Sequence, residues 1–462
     1  MTAHAVCKAA RADYIGRMLK RWGLLLALVM AAAIASAGAV SSAPLRILAV
    51  GDSMTEEYAF EVPFSAPTSD PGNANMHNWP ELLRFWRPAE TTMGSYAPSI
   101  PAYTDLRDAG SEWNFGIPGA TTSMWNDILL QSDLPIYPFP TATQIAYYLT
   151  RNALISEIPS ADVVVIFLGG NDVKSSYGDL YWGNEPASFY TDFITRLAFI
   201  HDFIRARTAV PIVICTAPNV GATYAVSVNY NEPVHVALAR SKIDSLNQSI
   251  ANLAAGKGAT LVPIHTLTDR IFDQHPFQIN GTEFQITPND QNTPDRIFCR
   301  DGFHPATMAQ ALIANLILDG ITRATSRPLT QFSNREILQT VLGLNPDQPY
   351  LNWAAGYPGI GSMTADADGD GIPNLAEYVL GTSPRVAGSP FTFPSGGHGT
   401  LQFVPSVAAL RFASLTVLES SNLSTWSTVP SGRITKDPGG TWTVAPNGQP
   451  RNFYRLRAET RP

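Results

Sequence analysis

From residue 45 to about residue 324, short apolar β-like runs alternate with amphipathic helical stretches. That alternation restricts the chain to a parallel sheet covered by helices, because each strand-to-strand crossover needs a helix of its own. The runs at 45–50, 111–115, 162–168, 211–215 and 260–264 read as strands, and helical periodicity runs through 141–158, 185–207, 232–255 and 305–322. Proline near the first turn of three of these helices fits, since that position has no partner for an N–H. Polar and aromatic insertions sit at 58–78, 88–110 and 218–231. Loops at the carboxyl ends of strands build the binding crevice of an open α/β sheet.

At 462 residues the chain exceeds one ordinary domain. After about residue 330 the pattern changes. A short helix at 334–344 leads to Pro- and Gly-rich sequence and an acidic loop at 366–377, and then to alternating apolar positions such as Leu415, Val417 and Phe453-Tyr454-Arg455-Leu456. With turn signals at Pro438-Gly439-Gly440 and Pro446-Asn447-Gly448, this stretch reads as a small antiparallel all-β module. The expected organisation is an export signal at 1–43, an α/β domain at 44–326, a loop-bearing linker at 327–384 and a β-rich module at 385–462.

Lys20 and Arg21 precede an apolar run from Trp22 to Ile34 that ends in small residues, the pattern of an export signal cleaved between Ala37 and Ala43. A secreted or cell-surface location follows; a retained anchor is the alternative. With Cys7 removed, Cys215 and Cys299 remain, as either one disulfide or two buried free thiols. The net charge of −7 provides no basic footprint and argues against a nucleic-acid partner.

Gly51-Asp52-Ser53 stands directly after the first apolar run, so Ser53 is expected where that strand turns toward a helix. A serine nucleophile needs a base, and Asp301-Gly302-Phe303-His304 supplies one. There the Asp301 carboxylate can hold one imidazole nitrogen while the other faces the serine. Acyl transfer also needs donors for the oxyanion. Gly119 ends one glycine-containing loop after a predicted strand, and Asn171 lies in Gly169-Gly170-Asn171-Asp172 after another.

These four blocks, in this order, resemble the SGNH (GDSL-like) hydrolase superfamily over about residues 45–324. The resemblance implies a three-layer α/β/α sandwich around a flavodoxin-like parallel sheet of five strands. It makes Ser53 the nucleophile, His304 the base and Asp301 its orienter, with Gly119 and Asn171 completing an oxyanion hole. No cofactor is needed for that chemistry. Met54 after the serine and Pro118 before Gly119 depart from the common pattern.

The acidic loop places oxygen ligands at Asp366, Asp368, Asp370, Asn374 and Glu377, with the carbonyl of Ile372 between them and Gly371 for the sharp turn. That spacing is the one a calcium loop requires, so structural Ca²⁺ is expected there. The loop resembles EF-hand and dockerin-type loops, and the stretch after it resembles C-terminal modules of exported bacterial proteins, which implies contact with a cell surface or polysaccharide. The functional expectation is a serine esterase removing short acyl groups from carbohydrate. A lipase or lysophospholipase is the alternative within that chemistry, and a non-catalytic glycan-binding protein the alternative outside it.

Overall fold

The apolar run after Pro44 forms β1 (Leu45–Gly51), buried throughout except at Arg46. A strand apolar on both faces belongs at the centre of a parallel sheet, and β1 pairs on both sides. The computed structural model describes residues 43–107, 109–392, 399–449 and 451–462. Apart from residue 43, the expected export signal lies outside them.

One neighbour of β1 is β4 (Val163–Phe167), which continues in parallel to β5 (Ile212–Cys215) and β6 (Thr260–Val262). The other edge of β1 is shared by two fragments, β2 (Thr91–Thr92) beside Leu45–Arg46 and β3 (Asn114–Gly116) beside Ala49–Gly51. Counting that shared edge as one position, the strands follow the flavodoxin-like order 2-1-3-4-5.

The single strand expected at 111–115 is therefore split. Gly110–Ser111 pairs antiparallel with Tyr96–Ala97 in a separate ribbon, and the chain turns at Glu112–Trp113 before joining β1. The Arg107 guanidinium, bonded to the Glu112 carbonyl, braces that turn. The last strand stops at Val262 rather than at residue 264, since Pro263 has no N–H to extend the ladder.

Helices cover both faces. Toward one lie α1 (Trp79–Trp86), α7 (His265–Asp273) and α8 (Thr307–Thr325), which share a core with Ile47, Ala49, Val165 and Val213. Toward the other lie α2 (Thr122–Leu130), α3 (Ala142–Glu157), α4 (Gly170–Trp182), α5 (Phe189–Arg205) and α6 (Pro233–Lys257), packed on Leu48, Val50, Val164 and Ile166. The alternation along β1 sends neighbouring residues to opposite cores. Each fully buried Leu, Ile or Val contributes roughly 1.5–3 kcal/mol, so these two layers hold the sheet. Sequence periodicity missed α1, α2, α4 and α7. Three of these are eight or nine residues long, and α4 begins in a Gly-Gly-Asn-Asp run that reads as a loop. Among the described residues no helix is long and apolar enough to cross a membrane.

Leu329, Phe332, Ile337 and Leu338 pack into the first core, Phe332 lying under the Arg87 guanidinium at 4.0 Å. The short helix expected at 334–344 is a single α turn followed by a π turn at Ile337–Val341. A third core gathers Tyr350, residues of α9 (Asn374–Leu380) and the strands beyond. Those strands form two three-stranded antiparallel sheets, in which Leu401–Phe403, Trp442–Val444 and Ile434–Lys436 make one and Ser427–Thr428, Ala413–Ser420 and Phe453–Thr460 the other. Cys215 and Cys299 are both buried free thiols; Cys215 belongs to the first core, whereas Cys299 sits with Tyr58, Phe64, Met76 and Ala306. The expected alternatives thus resolve to free thiols.

Candidate active site

At the carboxyl end of β1 the backbone turns through Asp52 and leaves Ser53 with its side chain at the surface of a cavity. The Asp52 carbonyl accepts from the N–H groups of Thr55 and Glu56, and its carboxylate from Met54 N–H at 2.9 Å. These bonds fix the turn. Burial first, and then the neighbouring Asp172 charge, push the Asp52 carboxyl up to about 7 against the opposing Met54 bond.

Ser53 Oγ lies 2.9 Å from His304 Nε2, and His304 Nδ1 lies 2.6 Å from Asp301 Oδ2. The second carboxylate oxygen of Asp301 accepts the backbone N–H groups of Phe303 at 3.0 Å and His304 at 3.1 Å. Desolvation opposes the Asp301 charge, but these bonds and the imidazole outweigh it and hold the carboxyl below its ordinary range. Cys299 N–H donates to the His304 carbonyl at 2.8 Å and closes the turn.

The structure therefore joins Ser53, His304 and Asp301 in one hydrogen-bonded chain, although the serine and histidine are 251 positions apart. Proton transfer from hydroxyl to imidazole, with the carboxylate steadying the resulting imidazolium, is what such a chain can do.

Gly119 is exposed, with φ of +75°, in the loop that follows β3. Asn171 stands in the first turn of α4 rather than in a loop, because Gly169 at φ +116° turns the chain directly from β4 into the helix. One Asn171 amide hydrogen goes to the Ala120 carbonyl at 3.1 Å, next to Gly119, and the side chain lines the same cavity as Ser53. Asp172 accepts both the N–H and the hydroxyl of Thr122, so α4 clamps the Gly119 loop. Among the described hydrogen bonds, neither the Ser53 nor the Gly119 N–H has a partner. Those two N–H groups and the second Asn171 hydrogen are left as free donors, the kind of group that a developing oxyanion needs.

Sequence reasoning missed Phe64, whose ring stacks on His304 at 3.8 Å between centroids and 5° between planes. It also missed Tyr58, whose hydroxyl donates to the Pro305 carbonyl at 3.0 Å while accepting from Gln310 at 2.8 Å. Both sit in an insertion with no periodic signal; only its aromatic content marked it.

The cavity beside Ser53 has about 40 Å³ of free space, and Met54, Ile264, Leu267, Ile271, Phe298 and Ile313 form its apolar wall. Among the aromatic residues near the predicted crevice, Tyr58, Trp79, Trp125 and Tyr181 are core residues, and the exposed Trp182 packs on His235 and does not line this cavity.

The family profile of GDSL-like lipases and acylhydrolases matches residues 47–317. Similar solved structures include LAE5, an α/β hydrolase enzyme from the metagenome of Lake Arreo in Spain, at 15% identity and a TM-score of 0.34, covering 62% of this chain and 98% of that one. Axe2, an acetylxylan esterase from Geobacillus stearothermophilus, is 15% identical with a TM-score of 0.33, covering 61% and 95%. An extracellular lipase from Streptomyces rimosus is 15% identical with a TM-score of 0.32, covering 61% and 100%. No curated protein is similar enough to count as a match.

Proposed function

Since this chain belongs to the GDSL-like lipase/acylhydrolase family and is a carboxylic ester hydrolase, we propose that it releases short acyl groups through an acyl-enzyme on Ser53. In this reading His304 takes the hydroxyl proton as Ser53 attacks the ester carbonyl, and then returns it to the departing alcohol. Water enters by the same route and frees the acid. Asp301 keeps the imidazole in the tautomer whose Nε2 is open toward the serine, and the N–H groups of Ser53 and Gly119 with the Asn171 amide receive the oxyanion.

The observation that carries the acyl preference is the apolar cavity beside Ser53. That cavity is small, about 40 Å³, and suits an acetyl or propionyl unit better than a long acyl chain. Its wall of Ile, Leu, Met and Phe accepts a methyl end and offers a sugar ring little to hydrogen-bond, so the acyl side enters it and the alcohol side faces outward. An acetylated carbohydrate remains the alcohol class we propose, on the ground of the export-type N-terminus and the accessory β module rather than of an aromatic platform at the serine. We include secretion, and contact of the C-terminal module with a cell surface or polysaccharide, in the same proposal.

The apolar lining also favours a second reading, a lipase-type acyl hydrolase, if α7 moves away and lengthens the cavity. A series of p-nitrophenyl esters from two to twelve carbons, run beside acetylated oligosaccharides, separates the two. We expect kcat/KM to peak at two to four carbons. A peak at eight carbons or more overturns the short-acyl reading, and absence of turnover on every ester overturns the mechanism.

A further inference from the structure

Among the described residues, a group of acidic side chains placed to share one ion lies in the loop that leads into α9. One carboxylate oxygen from each of Asp366, Asp368 and Asp370 lies within 4.8 Å of the other two. The backbone shapes this convergence. Asp366 accepts the N–H groups of Gly369 and Gly371, each at 2.8 Å, and both glycines take positive φ, +79° and +90°. Asp370 accepts Ile372 N–H at 2.8 Å with one oxygen and Gly388 N–H at 3.0 Å with the other.

Three carboxylates in a turn do not make a site. The second observation is Glu377, 1% exposed, whose Oε2 is buried without a hydrogen-bond partner. After burial itself, the charges of Asp368 and Asp370 act most strongly on it, ahead of the opposing Thr382 hydroxyl and of Asp366, so its carboxyl is within the field of the same cluster. Asp368 Oδ2 is likewise buried and unpartnered. Among the described ion pairs none reaches these four residues. Two buried, unpartnered carboxylate oxygens beside two further carboxylates need compensation, by a bound cation or by a proton. Hard oxygen donors at this spacing suit a large divalent cation that tolerates an irregular shell.

We infer that residues 366–377 bind one Ca²⁺-like cation through Asp366, Asp368, Asp370, Glu377 and the main-chain carbonyl of Ile372, and that this cation fastens α9 into the third core. The helix carries Leu375, Val379 and Leu380 into that core, and Glu377 on the same helix joins it to the loop. Asn374, expected as a ligand in the ninth slot, donates its amide to the carbonyls of Ile360 and Ser362, both at 2.8 Å. Its Oδ1 is buried without a partner and stays available to the cation in that slot.

This site is independent of the ester reading. The experiment uses the whole chain, stripped with chelator and then titrated with CaCl2 or MgCl2 while calorimetric binding and thermal unfolding are followed. Parent protein should bind one Ca²⁺ and gain several degrees in Tm, with a smaller response to Mg²⁺. Glu377→Gln and Asp368→Asn should each weaken Ca²⁺ binding tenfold or more, and turnover of a small soluble ester should be the same with and without chelator. Absence of binding heat and of any Tm shift in the parent at about 5 mM Ca²⁺, above the weak end of such sites, overturns the inference. Equal responses to the two ions overturn its calcium character, and loss of turnover on chelation overturns confinement to the third core.

Discussion

Replacing Asp301 by Asn tests the catalytic chain where its geometry is most informative. Asn retains an oxygen that can accept the Phe303 and His304 N–H groups now bonded to Asp301 Oδ1, so the turn should survive. What changes is the partner of His304 Nδ1, at present a carboxylate oxygen 2.6 Å away. An amide NH2 in that place donates to Nδ1, which moves the ring proton to Nε2 and removes the acceptor that faces Ser53 Oγ at 2.9 Å. Loss of a charge-assisted bond to the imidazolium costs about 1.5–3 kcal/mol. Restoring the reactive tautomer against an opposed amide costs about as much again. Together these amount to about 3–6 kcal/mol, or a fall in kcat of roughly 10²–10⁴-fold. The assay is kcat and KM on p-nitrophenyl acetate with thermal unfolding in parallel. We expect KM within a few-fold and a modestly lower Tm near neutral pH, the difference from the parent shrinking toward acid. Because the folded-state Asp301 carboxyl is held below its ordinary range, the stability that it provides is present above that range and lost as pH falls through the depressed value. The variant should lack that acid-side loss. A kcat within tenfold of the parent would refute the role given to Asp301.

Other outcomes follow from the same geometry. Ser53→Ala should abolish turnover with the fold retained, read by activity and circular dichroism, and Asn171→Ala should lower kcat by about 10²–10³-fold, the usual loss for one oxyanion donor. Phe64→Leu removes the ring stacked on His304 and should cost about 2–10-fold in kcat with little change in KM, matching the 0.5–1.5 kcal/mol of an aromatic contact. Asp52, held neutral up to about 7, makes folding less favourable as pH rises from about 4, where the unfolded chain ionises, and the loss levels off above the folded value. Asp52→Asn should flatten that slope, worth about 4 kcal/mol at most, in urea unfolding across the range. Thiol titration should give two reactive groups in denatured, non-reduced protein that has lost residues 1–43, and none in the native state.

The sheet was legible because its central strands are continuous apolar runs ending in glycine, proline or polar turns. The 45–50 and 162–168 expectations match the observed β1 and β4 within one residue at each end. The triad was legible because a serine directly after a strand and a histidine with an upstream aspartate are chemical patterns that survive without knowing the contacts. Helix α4 was not, since two glycines at its start lower local helical propensity and only the turn at Gly169 makes them its beginning. Phe64 was not, because its role depends on a residue 240 positions later, and nothing in Val62–Ser65 records that partner. The two-residue β2 exists only through its register with Leu45 and Arg46. No local propensity announces a strand of that length.

The shared outer edge of β1 bears on how this protein tolerates change. Two fragments from separate segments, Thr91–Thr92 and Asn114–Gly116, cover that edge in relay, and the chain between them leaves the main sheet. That chain is tied back at its far end, where the Trp113 carbonyl accepts from Ala49 N–H at 3.0 Å and Ser111 N–H donates to Glu57 at 2.8 Å. The constraint tightens at Gly116, where an added Cβ would come within 2.3 Å of the Glu56 backbone nitrogen. The nucleophile's strand is thus bordered by a looped-out segment anchored at Arg107, Ser111 and Trp113 and by a point that admits no side chain. Those anchors hold the reacting atoms in register against changes in the loop before them.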